Sequence, residues 1–212
     1  MEISSTVNRF LTARLHFFRW RFELGFVQKV LLAVVFAGIT GLSAQLRFYL
    51  PWSPVPLTAQ TCAVLISAVV LGKWWGGISQ SLYLAIGLAG VPWFAGFNSG
   101  LGYVMGATGG YLIGFVLAAF LLGYLVDARV KYRRFTSMFG LMMVMNFAVI
   151  YGCGLAYLYF WSLAHGMAVD LIGLLMMGAV PFTIAGDLVK IGLASGFSSG
   201  ITPKEAFGAE AA

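Results

Sequence analysis

The sequence predicts an all-α integral membrane protein, built as one compact bundle of six transmembrane helices. Three observations carry this. Of 212 residues, 60% are apolar and 9% charged, where a soluble domain carries about a quarter charged residues. The apolar residues fall in runs near the ~20 needed to cross a bilayer, divided by glycine, proline or charge. The basic residues stand at the ends of those runs, as topology signals do.

Residues 1–29 form a basic extension in which Arg9, Arg14, Arg19, Arg21 and Lys29 alternate with Phe10, Phe17, Phe18, Trp20 and Phe22. Such a segment suits a helix lying on an anionic membrane surface, so a cytoplasmic amphipathic helix is expected here. It is too long and too charged for the leading region of a secretory signal, and no clear cleavage site follows. Five apolar runs then cover residues 30–46, 57–72, 75–94, 104–126 and 135–161. The stretch 167–201 is too long for one straight span and contains Pro181. Proline lacks a backbone donor and is best tolerated at a helix's first turn. The stretch therefore divides into a short outer-surface helix over 167–177 and a sixth span over 182–201. Residues 30–201 make the membrane domain, and 202–212 a short cytoplasmic tail.

The formal charge of +6 invites a nucleic-acid partner, but the placement of the charge argues for a lipid membrane and no nucleic acid. With the amino terminus inside, the cytoplasmic face receives Arg9, Arg14, Arg19, Arg21, Lys29, Lys73, Arg129, Lys131, Arg133, Arg134 and Lys204. The outside receives Arg47 alone, and Lys190 falls within the bilayer. That asymmetry places both termini in the cytoplasm of a multi-pass protein of the cell membrane. Two outer connections are rich in loop formers, one with Pro51, Pro54 and Pro56, the other running from Pro92 to Gly102. Irregular backbone at membrane depth survives only where protein covers it or a cavity wets it.

Chemistry concentrates in the last span. Asp187 and Lys190 are the only charges between Asp170 and Lys204. An ionisable group at the bilayer centre costs about 2.5–3.5 kcal/mol on insertion scales, so one that persists marks a function by default. Three residues apart, the two share a helix face, where they pair or together grip a ligand. An internal ion pair that locks helices is the alternative. Gln45, Gln60, Gln80 and Asn146 are polar groups within spans, of the kind that bond across helices. Asn98 and Ser99 in the glycine loop suit either binding or a turn. Gly196-Phe197-Ser198-Ser199-Gly200 matches G-x-S-x-G, but a hydrolase also needs a histidine base and a sharp strand-to-helix turn. His16 and His165, the two histidines, stand in the extension and an outer loop. No metal cluster or nucleotide loop is present in the sequence, so no cofactor is expected. Uphill transport would then draw on an ion gradient or an ATP-hydrolysing partner. Gly106, Gly110 and Gly114 form one small-residue stripe, and Ala33, Ala37 and Gly41 another. Such stripes let helices approach closely. Internal packing accounts for the first, while the second fits packing or a partner equally.

Three phrases taken together carry a family resemblance: Pro54-Val55-Pro56-Leu57-Thr58-Ala59-Gln60-Thr61, Gly106-Ala107-Thr108-Gly109-Gly110-Tyr111 with the loop before it, and Gly186-Asp187-Leu188-Val189-Lys190. The set resembles the BioY family, the biotin-binding S components of energy-coupling-factor (ECF) vitamin transporters, over roughly residues 30–200. The resemblance implies a six-helix subunit that captures biotin at its outer face. A transmembrane coupling subunit and two ATPase subunits then drive release inward. It also implies a binding set drawn from Asp187, Lys190, Asn98, Ser99, Gly96, Gly100, Gln60 and Tyr111, and docking on the coupling subunit through Ala33, Ala37 and Gly41. The family often has proline where Ala107 stands. An S component for a different vitamin is the near alternative, and an intramembrane serine hydrolase the distant one.

Overall fold

The computed structural model describes the backbone of residues 2–178 and 181–204, and the side chains of 12–178 and 184–204. Most of the sequence-predicted tail, 205–212, lies outside the described residues. The extension forms α1 (Glu2–Glu23). After a break at Gly25, whose N–H donates to the Gln28 side chain at 3.0 Å, α2 runs Phe26–Gln45. The triproline connection is pinned by a two-residue antiparallel pair, β1 (Arg47–Phe48) with β2 (Leu57–Thr58), Arg47 opposite Thr58. Next come α3 (Gln60–Leu71) and α4 (Trp75–Leu88), then the glycine loop and a single turn, α5 (Gly100–Val104). Helix α6 (Gly109–Ala128) leads through a 3-10 turn (Val130–Arg133) into a 30-residue helix, Phe135–Ala164. This long helix consists of α7 (Phe135–Val144), a π-helical turn (Met145–Ile150) and α8 (Tyr151–Ala164). The short α9 (Leu171–Gly178) and the last helix α10 (Pro181–Ile201) follow.

Among the described residues, Phe26–Gln45, Gly109–Ala128 and Phe135–Ala164 are long and apolar enough to cross a membrane. The predicted second and third spans are shorter than expected, 12 residues in α3 and 14 in α4. Hairpin β2 takes up Leu57 and Thr58, and the loop around Pro92 takes up the end of the third. The predicted fourth span starts late, because the chain turns sharply between α5 and α6. A Cβ on Gly109 would stand 1.9 Å from the Val104 carbonyl oxygen.

Helix α6 is the axis of the core. Its buried Leu112, Phe115, Ala118, Ala119 and Leu122 meet α3, α4 and α8. Gly110 and Gly114 let the π-helical turn and α8 close on it, with Tyr157 Cβ and Ile150 Cα at 2.3 and 2.8 Å from where a Cβ would be. Polar glue joins the spans as well. Gln80 donates to Thr40 Oγ1 (3.2 Å) and Ser67 Oγ (3.0 Å), tying α2, α3 and α4. Gln45 braces the glycine loop, donating to the Phe94 carbonyl (3.0 Å) and accepting from the Phe97 N–H (3.2 Å).

The Ala33–Ala37–Gly41 stripe is not an outward docking face. Ala33 and Ala37 are 0% exposed, and a Cβ on Gly41 would stand 2.9 Å from Trp93 Cβ. The stripe is small because α2 packs there against the bundle, chiefly α4. The exposed face of α2 carries Leu31, Val34, Val35 and Leu42 instead.

The basic residues of α1 do more than signal topology. Arg21 is buried in an ion pair with Asp127 at the end of α6, and Asp127 Oδ2 also accepts the Lys73 N–H at 2.7 Å. Arg21 donates to the Val69 carbonyl (2.8 Å). Phe18, 1% exposed, lies between the Arg21 and Arg133 guanidinium groups, 3.8 and 4.5 Å from its ring centre. Arg133 is fully buried and donates to the Val126 and Asp127 carbonyls. Helix α1 is thus bolted to the bundle at this end.

Candidate functional site

The helical geometry of α10 turns Asp187 and Lys190 to one face, and their side chains form an ion pair with Lys190 Nζ 2.5 Å from Asp187 Oδ1. Asp187 is 1% exposed. Its other oxygen, Oδ2, accepts the Tyr151 hydroxyl at 2.6 Å and the Asn146 Nδ2 at 3.1 Å. Three donors therefore surround the carboxylate, the tyrosine at the short distance of a charge-assisted bond. Lys190 also donates to the Thr58 carbonyl at 2.9 Å, so the β1–β2 pair that fixes Thr58 fixes the ammonium as well.

The π-helical turn builds the opposite wall. One extra residue per turn, with the Tyr151 N–H reaching back to the Asn146 carbonyl, brings Asn146 and Tyr151 to the same carboxylate oxygen. Single π turns inside α-helices gather at functional sites.

Beside the pair lies a cavity of about 60 Å³ lined by Thr58, Gln60, Thr61, Tyr103, Tyr111 and Tyr151, among others, and roofed by Ser53, Val55 and Met177. Gln60 donates to the Tyr83 hydroxyl (2.8 Å), and Tyr111 to the Gly178 carbonyl (2.9 Å), tying α6 to the end of α9. The Tyr111 and Tyr151 rings meet edge to face, 5.8 Å apart. At this site two buried atoms lack a hydrogen-bond partner among the described residues, Thr61 Oγ1 on the cavity wall and Asn146 Oδ1 behind it. Buried polar atoms are rarely left unpaired in a resting core, so these two fit a site that receives polar groups.

Of the candidate binding residues, the structure brings Asp187, Lys190, Gln60 and Tyr111 together on this cavity. Asn98 and Ser99 line an adjoining cleft of about 380 Å³ that shares Pro56, Tyr103 and Thr108 with it. Asn98 there donates to the Ala95 carbonyl at 2.8 Å, as a turn residue does. Gly96 and Gly100 line neither space. Their φ angles of +85° and +81° shape the loop, in a backbone region that favours glycine. Sequence reasoning missed Tyr151, Thr61 and the Thr58 carbonyl. Thr58 and Thr61 stood in the phrase over residues 54–61, while Tyr151 is one of three tyrosines in its apolar run.

The G-x-S-x-G stretch lies inside continuous α10, with Ser198 fully buried. His165 is exposed on a turn and bonded to the Trp161 carbonyl. This is not the strand-to-helix turn on which a hydrolase displays its serine.

Chemically, the site offers an anionic acceptor and a cation side by side, in aromatic surroundings. A family model, the BioY family, matches residues 11–206, which takes in the second half of α1. A protein of Methanothermobacter thermautotrophicus named "Probable biotin transporter BioY" is 51% identical over 146 residues, 68% of this chain and 92% of that protein. The "Biotin transporter BioY" of Thermotoga maritima is 35% identical over 146 residues, 69% of this chain and 80% of that one. A crystal structure described as the S-component for biotin from an ECF-type ABC transporter superposes with a TM-score of 0.72. It is 22% identical, and the match covers 83% of this chain and 93% of that one, so the fold is shared.

Proposed function

The chain belongs to the BioY family, and from that premise we propose that it takes up biotin as the substrate-binding S component of an ECF-type transporter. It is a membrane protein without enzymatic chemistry of its own. The proposal extends to six spans, a plasma-membrane location with both termini in the cytoplasm, and ATP hydrolysis by two ATPase subunits behind a transmembrane coupling subunit. The basic residues cluster at the Arg21–Asp127 end of the bundle, and positive charge favours the cytoplasmic side. The Asp187–Lys190 site then opens toward the outside.

One observation carries the ligand assignment: a carboxylate and an ammonium share one small cavity walled by tyrosines. Biotin presents a cyclic urea with two N–H donors and a carbonyl acceptor on a compact apolar bicycle. Asp187 Oδ1 is held by Lys190 alone among the described residues, so a urea N–H takes up its remaining acceptor capacity. Lys190 turns its third donor to an acceptor on the vitamin. The tyrosine rings cover the bicycle, and the valerate chain extends into the cleft beside Asn98 and Ser99. At about 60 Å³ the cavity is far below the roughly 300–1,000 Å³ of small-molecule pockets. Binding therefore draws back the roof, where the Ser53 hydroxyl bridges to the Met177 carbonyl.

Mass spectrometry of the purified full-length protein for co-purifying small molecules, followed by biotin titration, tests this. Recovered biotin and saturable binding that weakens in Lys190→Met are expected. Recovery of a different vitamin, with no response to biotin, would overturn the ligand while leaving the fold.

A further inference from the structure

Sharing no lining residue with the ligand cavity, a groove of about 540 Å³ runs between α1, α2, α3 and α10. Its walls are apolar: Phe17, Leu32, Phe36, Ile66, Val70 and Phe197. At one end it meets a second cavity, of about 360 Å³, and the two share Arg21, Lys29, Leu71 and Trp75. The second cavity has a different character. Lys73 stands over the Trp74 and Tyr124 rings at 5.3 and 4.9 Å, and Lys29 lines the same chamber, its Nζ donating to the Phe22 carbonyl at 3.2 Å. Arg21 and Asp127 neutralise one another there, so Lys29 and Lys73 set its charge.

From this continuity of a long apolar groove with a cationic, aromatic-rimmed chamber, we infer a binding site for an anionic phospholipid. One acyl chain fills the groove, and the phosphate sits between Lys29 and Lys73. The chemistry favours a lipid over other occupants. A free phosphate would leave the apolar groove unfilled, and a partner helix would bring no anion to the two ammonium groups. Basic pockets between membrane helices on the cytoplasmic side are suited to anionic head groups. Trp74, Trp75 and Tyr124 supply the amphipathic rings that prefer head-group depth. The pocket also gives α1 a role: its Phe17 and Trp20, with Leu24 just after it, form one wall of the groove.

Native mass spectrometry of the full chain in detergent, with equal amounts of phosphatidylglycerol and phosphatidylcholine carrying the same chains, tests the assignment. Each lysine near an anionic head group contributes about five-fold in affinity, so wild type should retain phosphatidylglycerol about twenty-five-fold better. Lys29→Gln combined with Lys73→Gln should bring the two lipids to near parity. Ala63→Phe, which fills the groove, should displace both; a thermal unfolding trace on each preparation verifies the fold. The double-lysine variant decides alone if Ala63→Phe does not fold. Equal retention of the two lipids by wild type overturns the proposal, as does a preference that survives loss of both lysines. Stabilisation by inorganic phosphate equal to that by the lipid would assign the chamber to a free anion instead. Unchanged lipid counts in Ala63→Phe, with loss of a co-purifying protein, would assign the groove to a partner helix.

Discussion

Two buried acid–base pairs, Asp187–Lys190 and Arg21–Asp127, occupy opposite ends of the bundle. Lys190 meets the carbonyl of Thr58 just before α3, and Asp127 meets the N–H of Lys73 just after it. Both acids are buried and both receive several donors. The difference is what lies beside them. Around Arg21–Asp127 the partners are other parts of the protein: Phe18 packs against two guanidinium groups, and carbonyls of Val69, Val126 and Asp127 accept from Arg21 and Arg133. Beside Asp187–Lys190 there is a cavity, with unpaired Thr61 Oγ1 and Asn146 Oδ1 nearby among the described residues. An intramembrane ion pair by itself thus does not distinguish a bolt from a binding site. The partners do: backbone carbonyls and a second arginine at one end, tyrosine, asparagine and a small tyrosine-walled cavity at the other.

The sharpest way to break this comparison is to remove one acid at a time. Taking one partner from a buried pair leaves an uncompensated charge and costs about 3–5 kcal/mol. Asp127→Asn should therefore lower stability on that scale, read by denaturant or thermal unfolding, while biotin affinity of the folded fraction holds. Loss of affinity with unchanged stability would reverse the roles assigned to the two ends. Asp187→Asn is the next largest effect, now in binding. It turns an acceptor into a group that can present N–H to N–H. The lost charge-assisted bond should weaken biotin by about 1.5–3 kcal/mol, about ten- to a hundred-fold. Isothermal titration of both variants on matched preparations makes the contrast quantitative, and wild-type affinity in Asp187→Asn would reduce this pair to a second bolt.

Sequence reasoning saw the two pairs unequally, for a physical reason. Asp187 and Lys190 are three residues apart, so helix geometry alone joins them, and their apolar setting makes them conspicuous. Arg21 and Asp127 are 106 residues apart and stand at run ends, where topology signals also stand. Only the fold brings them together. The π turn at Met145–Ile150 has no signature in an apolar run, so Tyr151 could not be assigned to the site. The helices themselves were legible from apolar runs and punctuation, apart from residues 57–59, 89–94 and 105–108, which fall in strand, loop and turn. The small-residue stripe of α2 was ambiguous because close approach looks alike from sequence whether the neighbour is α4 or another protein.

That ambiguity gives the third test. With Ala37 fully buried, Ala37→Leu overpacks the core, at a cost of about 1–3 kcal/mol. A lower unfolding temperature is expected, with coupling-subunit recovery unchanged where the variant remains folded. Undiminished stability together with lost recovery would restore Ala37 to a docking face.

The smallest effect concerns the cationic crowding of the Arg21–Asp127 end. Burial, reinforced by Arg14 and Arg134, pulls the Lys204 ammonium from its ordinary 10.5 down to about 8. A lowered pKa in a base means that the fold disfavours its charged form. The unfolded chain then holds more protons between about pH 8 and 10.5, so this group makes stability rise with pH across that window and leaves it flat below. Lys204 is exposed, so salt should shrink the effect. The difference between wild type and Lys204→Gln in unfolding temperature, measured at pH 7 and pH ~9.5 in low and high salt, isolates it from other lysines. A wild-type advantage that grows with pH in low salt and fades in high salt is expected. The opposite sign would mean that the carbonyls of Arg133 and Ser199, which accept from Lys204, outweigh the neighbouring guanidinium groups. This end would then be balanced like the other, and the asymmetry between the two would rest on the side chains around each pair.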